Sequence, residues 1–171
     1  MLPMHQIPKR IGYSRCKAIM KAHIMSGDDC MSKIGTKHAA LHHDPEFYLR
    51  TFGDDPVITE QQISSLEEYL VKVWAGAKTT ITAKTFNELR LEKYLSGSGI
   101  DLLPPTSSSI RGHIFRGGFL IYNIVHMLDN DIIHLDPREY AWEENHGIML
   151  PSQILKPIPT AKLCRCSVQS I

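Results

Sequence analysis

The stretch from residue 26 to residue 41 holds the side chains whose types and spacing could do chemistry. Asp28 and Asp29 follow a glycine at the end of a helix-like apolar run, and a short turn then leads to Ile-Gly-Thr-Lys, which ends at Lys37. Gly35 lets the backbone approach a ligand closely, exposed N–H groups at a helix start favour an anion such as phosphate, and Lys37 adds a point charge to the same anion. Asp29 could bind a hard divalent cation, although Mg²⁺ normally needs further carboxylates.

The same stretch has a simpler interpretation as a solvated turn. In that case one aspartate caps the turn and the ammonium group of Lys37 lies in water. Because the motif is short and degenerate, its spacing alone favours the solvated turn over a phosphate-binding turn.

A second group of basic side chains follows the sequence Pro-Pro-Thr-Ser-Ser-Ser at residues 104–109. Arg111, His113 and Arg116 lie near the start of the helix that this sequence begins, where they could contact phosphate. A solvated first turn ahead of an apolar core segment explains these side chains equally well. Both interpretations therefore stay open.

Composition limits the classes of function that these side chains can serve. The chain has 171 residues, of which 43% are hydrophobic and 22% are charged, and these values are typical of a globular protein. A net charge of +1 excludes a histone-like polycation. The longest apolar run, residues 119–128, is too short to span a bilayer, and the first residues do not resemble a secretory signal. We therefore expect no membrane partner and an intracellular protein of the nucleus or cytoplasm.

Charge is distributed unevenly along the chain. Residues 1–43 contain seven basic and two acidic residues, whereas residues 44–103 contain six basic and ten acidic residues. A basic end can indicate an anionic partner. Alternatively, the basic and acidic regions attract each other within one fold.

Local signals predict a mainly α fold that positions both basic groups. Residues 44–46 combine an aspartate N-cap with proline at the first helical position, and capping boxes begin further helices after Thr59 and Thr85. The predicted helices cover residues 9–25, 47–52, 60–75 and 86–95, and a long last helix follows residues 104–106. Beyond residue 136 we expect an irregular, proline-rich segment.

The chain divides into three predicted segments. Residues 1–43 form a basic, helix-turn-helix-like end, and residues 44–135 form a helical domain. Residues 136–171 form the irregular segment that leads towards a pair of cysteines.

Two resemblances to known proteins add to this interpretation. The segment from Asp29 to Lys37 resembles the end of the flap-endonuclease-like branch of the PIN nuclease superfamily, in which a Gly-x-Asp metal ligand leads into a helix-turn-helix whose Gly-x-Gly-x-Lys turn contacts the DNA backbone. Over about residues 11–166 the chain more closely resembles a group of animal proteins that are often linked to mobile elements. The blocks that carry this closer resemblance are Ser32–Leu41, Pro45–Leu49, Phe52–Gly53, Glu68–Val71, Asn87–Arg90, Leu103–Ser107, Arg111–Ile114, Leu135–Pro137, Trp142 and Leu150–Pro151.

The resemblance to the nucleases implies an incomplete metal centre. Such enzymes use about two Mg²⁺ or Mn²⁺ ions held by carboxylates on a parallel sheet, and Asp29 would be one late member of that set. The sheet and the other carboxylates are expected upstream of Met1, in a full-length parent protein. We therefore expect this fragment to lack the α/β nuclease half, to bind no cofactor and to have no catalytic activity of its own.

The resemblance to the mobile-element group implies a tail that is cut short. In that group the chain continues into a cysteine-rich, zinc-binding tail that opens with Cys-x-Cys, and Cys164-Arg165-Cys166 matches that opening. Two thiolates supply only two of the four ligands that a structural zinc ion uses, so we expect this pair to hold no zinc.

These observations lead to the hypothesis that the chain contacts the backbone of nucleic acid. The predicted contacts are residues of the two basic groups: Lys33, Gly35, Lys37, Arg111 and Arg116. The alternative is a protein-interaction or assembly module that uses apolar and acidic helices between residues 59 and 95, with a protein partner that the sequence does not identify. A third alternative is a degenerate reading frame without function.

Overall fold

The computed structural model describes residues 6–77, 80–130 and 133–152. These ranges are mostly helical, with one two-stranded sheet, and the prediction of a mainly α fold is confirmed. The helices are α1 (Ile7–Ile11), α2 (Tyr13–Met25), α3 (Lys37–His42), α4 (Pro45–Leu49), α5 (Glu60–Ala75), α6 (Phe86–Leu95) and α7 (Ser107–Val125). Short 3-10 helices lie at Ile100–Leu102 and Pro137–Tyr140, and the strands are β1 (Trp142–Asn145) and β2 (Ile148–Pro151).

Side-chain caps begin the helices where the sequence predicts them. The Thr59 hydroxyl accepts a hydrogen bond from the Gln62 N–H, and the Gln62 side chain accepts one from the Thr59 N–H, which completes the predicted capping box of α5. Thr85 and Glu88 form the same reciprocal pair of hydrogen bonds at the start of α6. Such caps satisfy N–H groups that lack a partner inside the helix, and each contributes about 1 kcal/mol.

The first predicted helix is interrupted, and the second ends earlier than predicted. Gly12 has a φ of 88°, which the helix cannot accommodate, so α1 and α2 are separate helices rather than one helix over residues 9–25. Helix α4 ends at Leu49 rather than at residue 52, and the Phe52 N–H donates to the Leu49 carbonyl in the turn that follows.

One apolar core lies between α2, α5 and α7. Its largest fully buried apolar side chains are Met25, Leu49, Phe52, Leu66, Tyr69, Leu70, Phe86, Leu89, Ile110, Ile114 and Ile121. Burying one such side chain contributes about 1.5–3 kcal/mol. Residues on both sides of the predicted boundary at 43/44 therefore belong to the same core.

Two neighbouring glycines let α7 lie close to other parts of the core. A Cβ atom on Gly117 would overlap the sulfur of Met25 in α2, and a Cβ atom on Gly118 would lie 2.5 Å from Cδ1 of Ile58. The contact between α2 and α7 therefore depends on the missing side chain at Gly117.

A β-hairpin lies in the segment that was predicted to be irregular. Strands β1 and β2 are antiparallel, and Asn145 pairs with Ile148 across a two-residue loop. Both loop residues, His146 and Gly147, have positive φ angles, which is the geometry of a tight hairpin turn. The His-Gly sequence is a weaker turn signal than Asn-Gly, so the sequence does not predict the hairpin. Cys164 and Cys166 lie outside the described residues.

No helix in the described ranges is long and apolar enough to cross a membrane.

Candidate functional site

The predicted contact turn folds back on the end of α2. The Ile34 N–H donates to the Ser26 carbonyl over 3.1 Å. A Cβ atom on Gly27 would lie 2.5 Å from the Cα atom of Lys33, so the two arms of the turn touch at the backbone. Residues 26–34 therefore form a closed loop whose shape depends on Gly27.

Lys37 follows this loop in the sequence, and its side chain reaches back across the loop to the end of α2. Its ammonium group donates to the carbonyl oxygens of His23 and Gly27, at the C-terminal end of α2. Burial lowers the pKa of Lys37, and the nearby carboxylates of Asp28 and Asp29 oppose that shift. A positive charge beside the last carbonyls stabilises a helix end, so Lys37 holds α2 and α3 together.

Gly35 makes the close backbone approach that the sequence predicts, but its partner is α5. A Cβ atom on Gly35 would lie 2.5 Å from the carbonyl oxygen of Val73 and 2.9 Å from Cγ1 of the same residue. The missing side chain at Gly35 therefore serves packing within the chain.

Lys33 is the predicted contact that is both exposed and free of an ion pair with any described residue. It lines a shallow pocket of about 550 Å³ together with Asp28, Asp29 and Lys37. Two carboxylates therefore lie beside Lys33, which weakens the attraction of this turn for an anion.

Asp29 is exposed, and the described residues do not fit a two-metal centre. A side-chain oxygen of Asp28 accepts a hydrogen bond of 2.9 Å from the Cys30 N–H and caps the turn. In the part of the chain that the structure describes, no three His, Cys, Asp or Glu side chains are grouped as a metal ion needs. Two neighbouring carboxylates are too few to position two ions.

Arg111 forms an ion pair with Glu60, which joins α7 to the first turn of α5. Its Nη1 lies 2.8 Å from Oε2 of Glu60, and its guanidinium lies over the ring of Phe115. The hydrogen bonds raise the pKa of Arg111 and lower that of Glu60. The guanidinium of Arg111 is therefore already neutralised by a carboxylate.

Arg116 is 9% exposed, and its Nη1 donates to the carbonyl of Ala141 over 3.3 Å. Burial lowers the pKa of this side chain. Arg116 therefore connects α7 to the start of the hairpin and does not present a charge to a ligand.

Lys21 is a further basic residue that does not reach the surface. Its ammonium group is fully buried and donates to a side-chain oxygen of Asp54 over 2.8 Å and to the Arg50 carbonyl over 3.1 Å. Burial lowers the pKa of Lys21, and the Asp54 carboxylate opposes that shift. The number of basic residues in 1–43 is therefore larger than the number of positive charges that are accessible to a partner.

His113 has a structural environment that its sequence position does not reveal. It is 2% exposed, and its Nε2 lies 2.9 Å from the Met25 carbonyl oxygen, so Nε2 carries the hydrogen that is donated. Its Nδ1 has no partner among the described residues. Burial lowers the pKa of His113 to about 4, so the ring is neutral at pH 7.

An apolar groove, which we call the α2 groove, lies between α1, α2 and the end of α7. It has a volume of about 540 Å³ and is lined by Ile11, Cys16, Ile19, Met20, His23, Ile24, Asp28 and Ile124. Ile11 is 38% exposed, Ile19 is 36% exposed and Ile124 is 41% exposed. Apolar periodicity within residues 9–25 is visible in the sequence, but which of these side chains stay uncovered depends on how α7 packs.

Side chains of α6 form a second exposed surface, which we call the acidic stripe. Glu88, Leu91, Glu92 and Leu95 follow one another at helical spacing along one face, and all four are exposed. Leu91 is 58% exposed and Leu95 is 74% exposed. Tyr94, Ile100 and Leu102 are also exposed.

Comparison with protein families, with curated proteins and with solved structures finds no match to this chain. The resemblances to the PIN nucleases and to the mobile-element group therefore stay predictions.

Proposed function

We propose that this chain is a protein-interaction module whose docking surface is the α2 groove. The observation that carries the proposal is the exposure of Ile11, Ile19 and Ile124, which come from three different helices and line one groove. Contiguous exposed apolar surface is typical of sites that bind another protein, and grooves between helices commonly take an amphipathic helix.

Most of the predicted nucleic-acid contacts already interact with other residues of the chain, which favours a protein-interaction module over a nucleic-acid-binding one. Lys37 caps α2, Arg111 pairs with Glu60, and Arg116 is buried. Gly35 packs against α5. Of the five predicted contacts, Lys33 alone offers a free charge to a phosphate group.

Contact with the nucleic-acid backbone is the second candidate function. It is supported by Lys33 and by the exposed basic side chains of α1 and α2: Lys9, Arg10, Arg15 and Lys17. Such contact would be insensitive to base sequence and strongly dependent on salt. It would not need the apolar lining of the groove.

A photocrosslinking experiment distinguishes the two candidates. Tyr13, which is 75% exposed at the start of α2, is replaced by p-benzoylphenylalanine, and the full chain is irradiated in extract from its source cells. We expect protein adducts that resist nuclease and disappear when Ile19→Asp is added. The matched control is Val57→Asp, since Val57 is 71% exposed and does not line the groove. Nuclease-sensitive adducts, or adducts that persist with Ile19→Asp, would contradict the proposal.

A further inference from the structure

We propose that the α2 groove binds the acidic stripe of a second copy of this chain, so that the molecules associate head to tail. This inference rests on the proposed function, because it names the occupant of the same groove. The two surfaces carry it through their opposite charges and their shared apolar character.

The groove side carries positive charge. From residue 6 to residue 27 the chain contains no acidic residue, and its basic residues other than the buried Lys21 are exposed on α1 and α2. Cys16, Ile19, Met20 and His23 lie on one face of α2 at helical spacing, and this face forms the apolar wall of the groove. Arg15 pairs with Glu46, and Asp28 is an acidic residue of the groove lining. The exposed cations that have no ion pair with a described residue are Lys9, Arg10 and Lys17, so the helices that form the groove keep an excess of positive charge.

The two charged residues of the stripe are both acidic, whereas Arg90 and Lys93 of the same helix lie outside it. Glu88 and Glu92 alternate with Leu91 and Leu95 along one exposed face of α6. Hydrogen bonds from the backbone of residues 84 and 85 lower the pKa of Glu88, so this carboxylate is ionised at neutral pH. A helix with two leucines flanked by two carboxylates has the chemistry that an apolar groove beside cations recognises.

The partner surface must come from another molecule. No residue of α6 lines the groove, so within one chain the stripe does not fill it. A groove facing a second groove would place like charges opposite each other, which disfavours a symmetric dimer. Groove-to-stripe contact uses two different surfaces, and such contacts extend into rings or open chains of molecules.

Sedimentation of the full chain tests this arrangement. We expect the average mass of the wild-type chain to rise with protein concentration and to fall when salt is added. Ile19→Asp removes the groove contact and Leu91→Asp removes the stripe contact, so each variant alone should sediment as a monomer. Phe47→Asp is the matched control, because Phe47 is 73% exposed and belongs to neither surface, and it should associate like the wild type.

Mixing the two variants gives the sharpest result. The Ile19→Asp chain keeps an intact stripe and the Leu91→Asp chain keeps an intact groove, so an equimolar mixture should form dimers and no larger species. Circular dichroism establishes that each variant is folded, and Ile11→Asp takes the place of Ile19→Asp if that variant does not fold. A mixture that stays monomeric, or a single variant that still associates, would overturn the proposal.

Sedimentation and crosslinking together distinguish an error in the assigned partner from an error in the proposed function. If the wild-type chain stays monomeric while Tyr13 crosslinks to other proteins remain dependent on Ile19, the second copy is excluded as the occupant and the interaction module stands. If the crosslinks also fail to depend on Ile19, both proposals are excluded.

Discussion

At the scale of single residues, several cations of this chain are used inside the fold. Lys21, Lys37 and Arg116 each donate to a backbone carbonyl that lies 14 or more residues away in the sequence. Residue type alone could therefore identify these side chains as charged but could not identify their partners. By contrast, the sequence was enough to predict that one aspartate caps the turn, because the capping contact is local: the Cys30 N–H donates to Asp28, two residues earlier.

The buried ring of His113 should make stability depend on pH. Its pKa is about 4 in the folded chain and about 6.5 in an unfolded one, so the unfolded state takes up a proton that the folded state does not. The contribution of the neutral His113 ring to the free energy of unfolding is complete above pH 6.5 and is lost as the pH falls towards 4. Its upper limit is about 3 kcal/mol. Urea unfolding of the wild type and of His113→Gln across this range measures it, since a glutamine amide can donate to the Met25 carbonyl but does not titrate.

The difference in unfolding free energy between wild type and His113→Gln should shrink as the pH falls. The pKa of His126 is raised by its hydrogen bond to Asp129, so its contribution has the opposite sign: it is complete below pH 6.5 and lost as the pH rises. Because His126 is present in both proteins, its effect cancels in the difference. A difference that stays constant from pH 7 to pH 4 would contradict the prediction.

At the scale of the elements, the sequence predicted where helices begin better than it predicted which helices pack against each other. The caps at Thr59 and Thr85 connect groups three residues apart, so their pattern is complete in the local sequence. The break at Gly12 and the approach of Gly35 to α5 depend on a backbone angle and on distant packing. For the same reason the α2 groove could not be predicted, since its exposure depends on where α7 ends.

Gly35→Ala should destabilise the fold by about 1–3 kcal/mol, because the new Cβ atom would press against the backbone of Val73. The matched control is Gly99→Ala, because Gly99 has a φ of −61° and no atom within 4 Å of the added group. The control should change stability by less than about 0.5 kcal/mol, or raise it slightly by restricting the unfolded chain. Chemical denaturation of both variants measures the two effects, and equal losses would show that Gly35 is not a packing residue.

At the scale of the whole molecule, the shared core argues against independent folding of residues 1–43. Met25 and Met31 precede the predicted boundary, Leu49 and Phe52 follow it, and all four belong to one cluster of buried side chains. The sequence indicates a boundary there because the sign of the charge changes. Charge balance describes the surface, however, and it carries no information about which apolar side chains share an interior.

Helices α2 and α5 should therefore unfold together. Amide hydrogen exchange at Ala22 in α2 and at Leu70 in α5 should report the same free energy of opening, because both residues are fully buried in that core. Urea should lower both values in parallel. A free energy at Ala22 that is lower by more than about 1 kcal/mol would instead support a separate unit before residue 44.

The contact between Met25 and Gly117 also makes this protein sensitive to a chemical oxidant in a selective way. The sulfur of Met25 is fully buried against a position with no room for even a methyl group, so a sulfoxide oxygen cannot be added while α2 and α7 are together. Met127, which is 61% exposed, can be oxidised in the folded chain. Oxidation at Met25 thus requires that the two helices have separated, and once oxidised the polar sulfoxide prevents them from closing again.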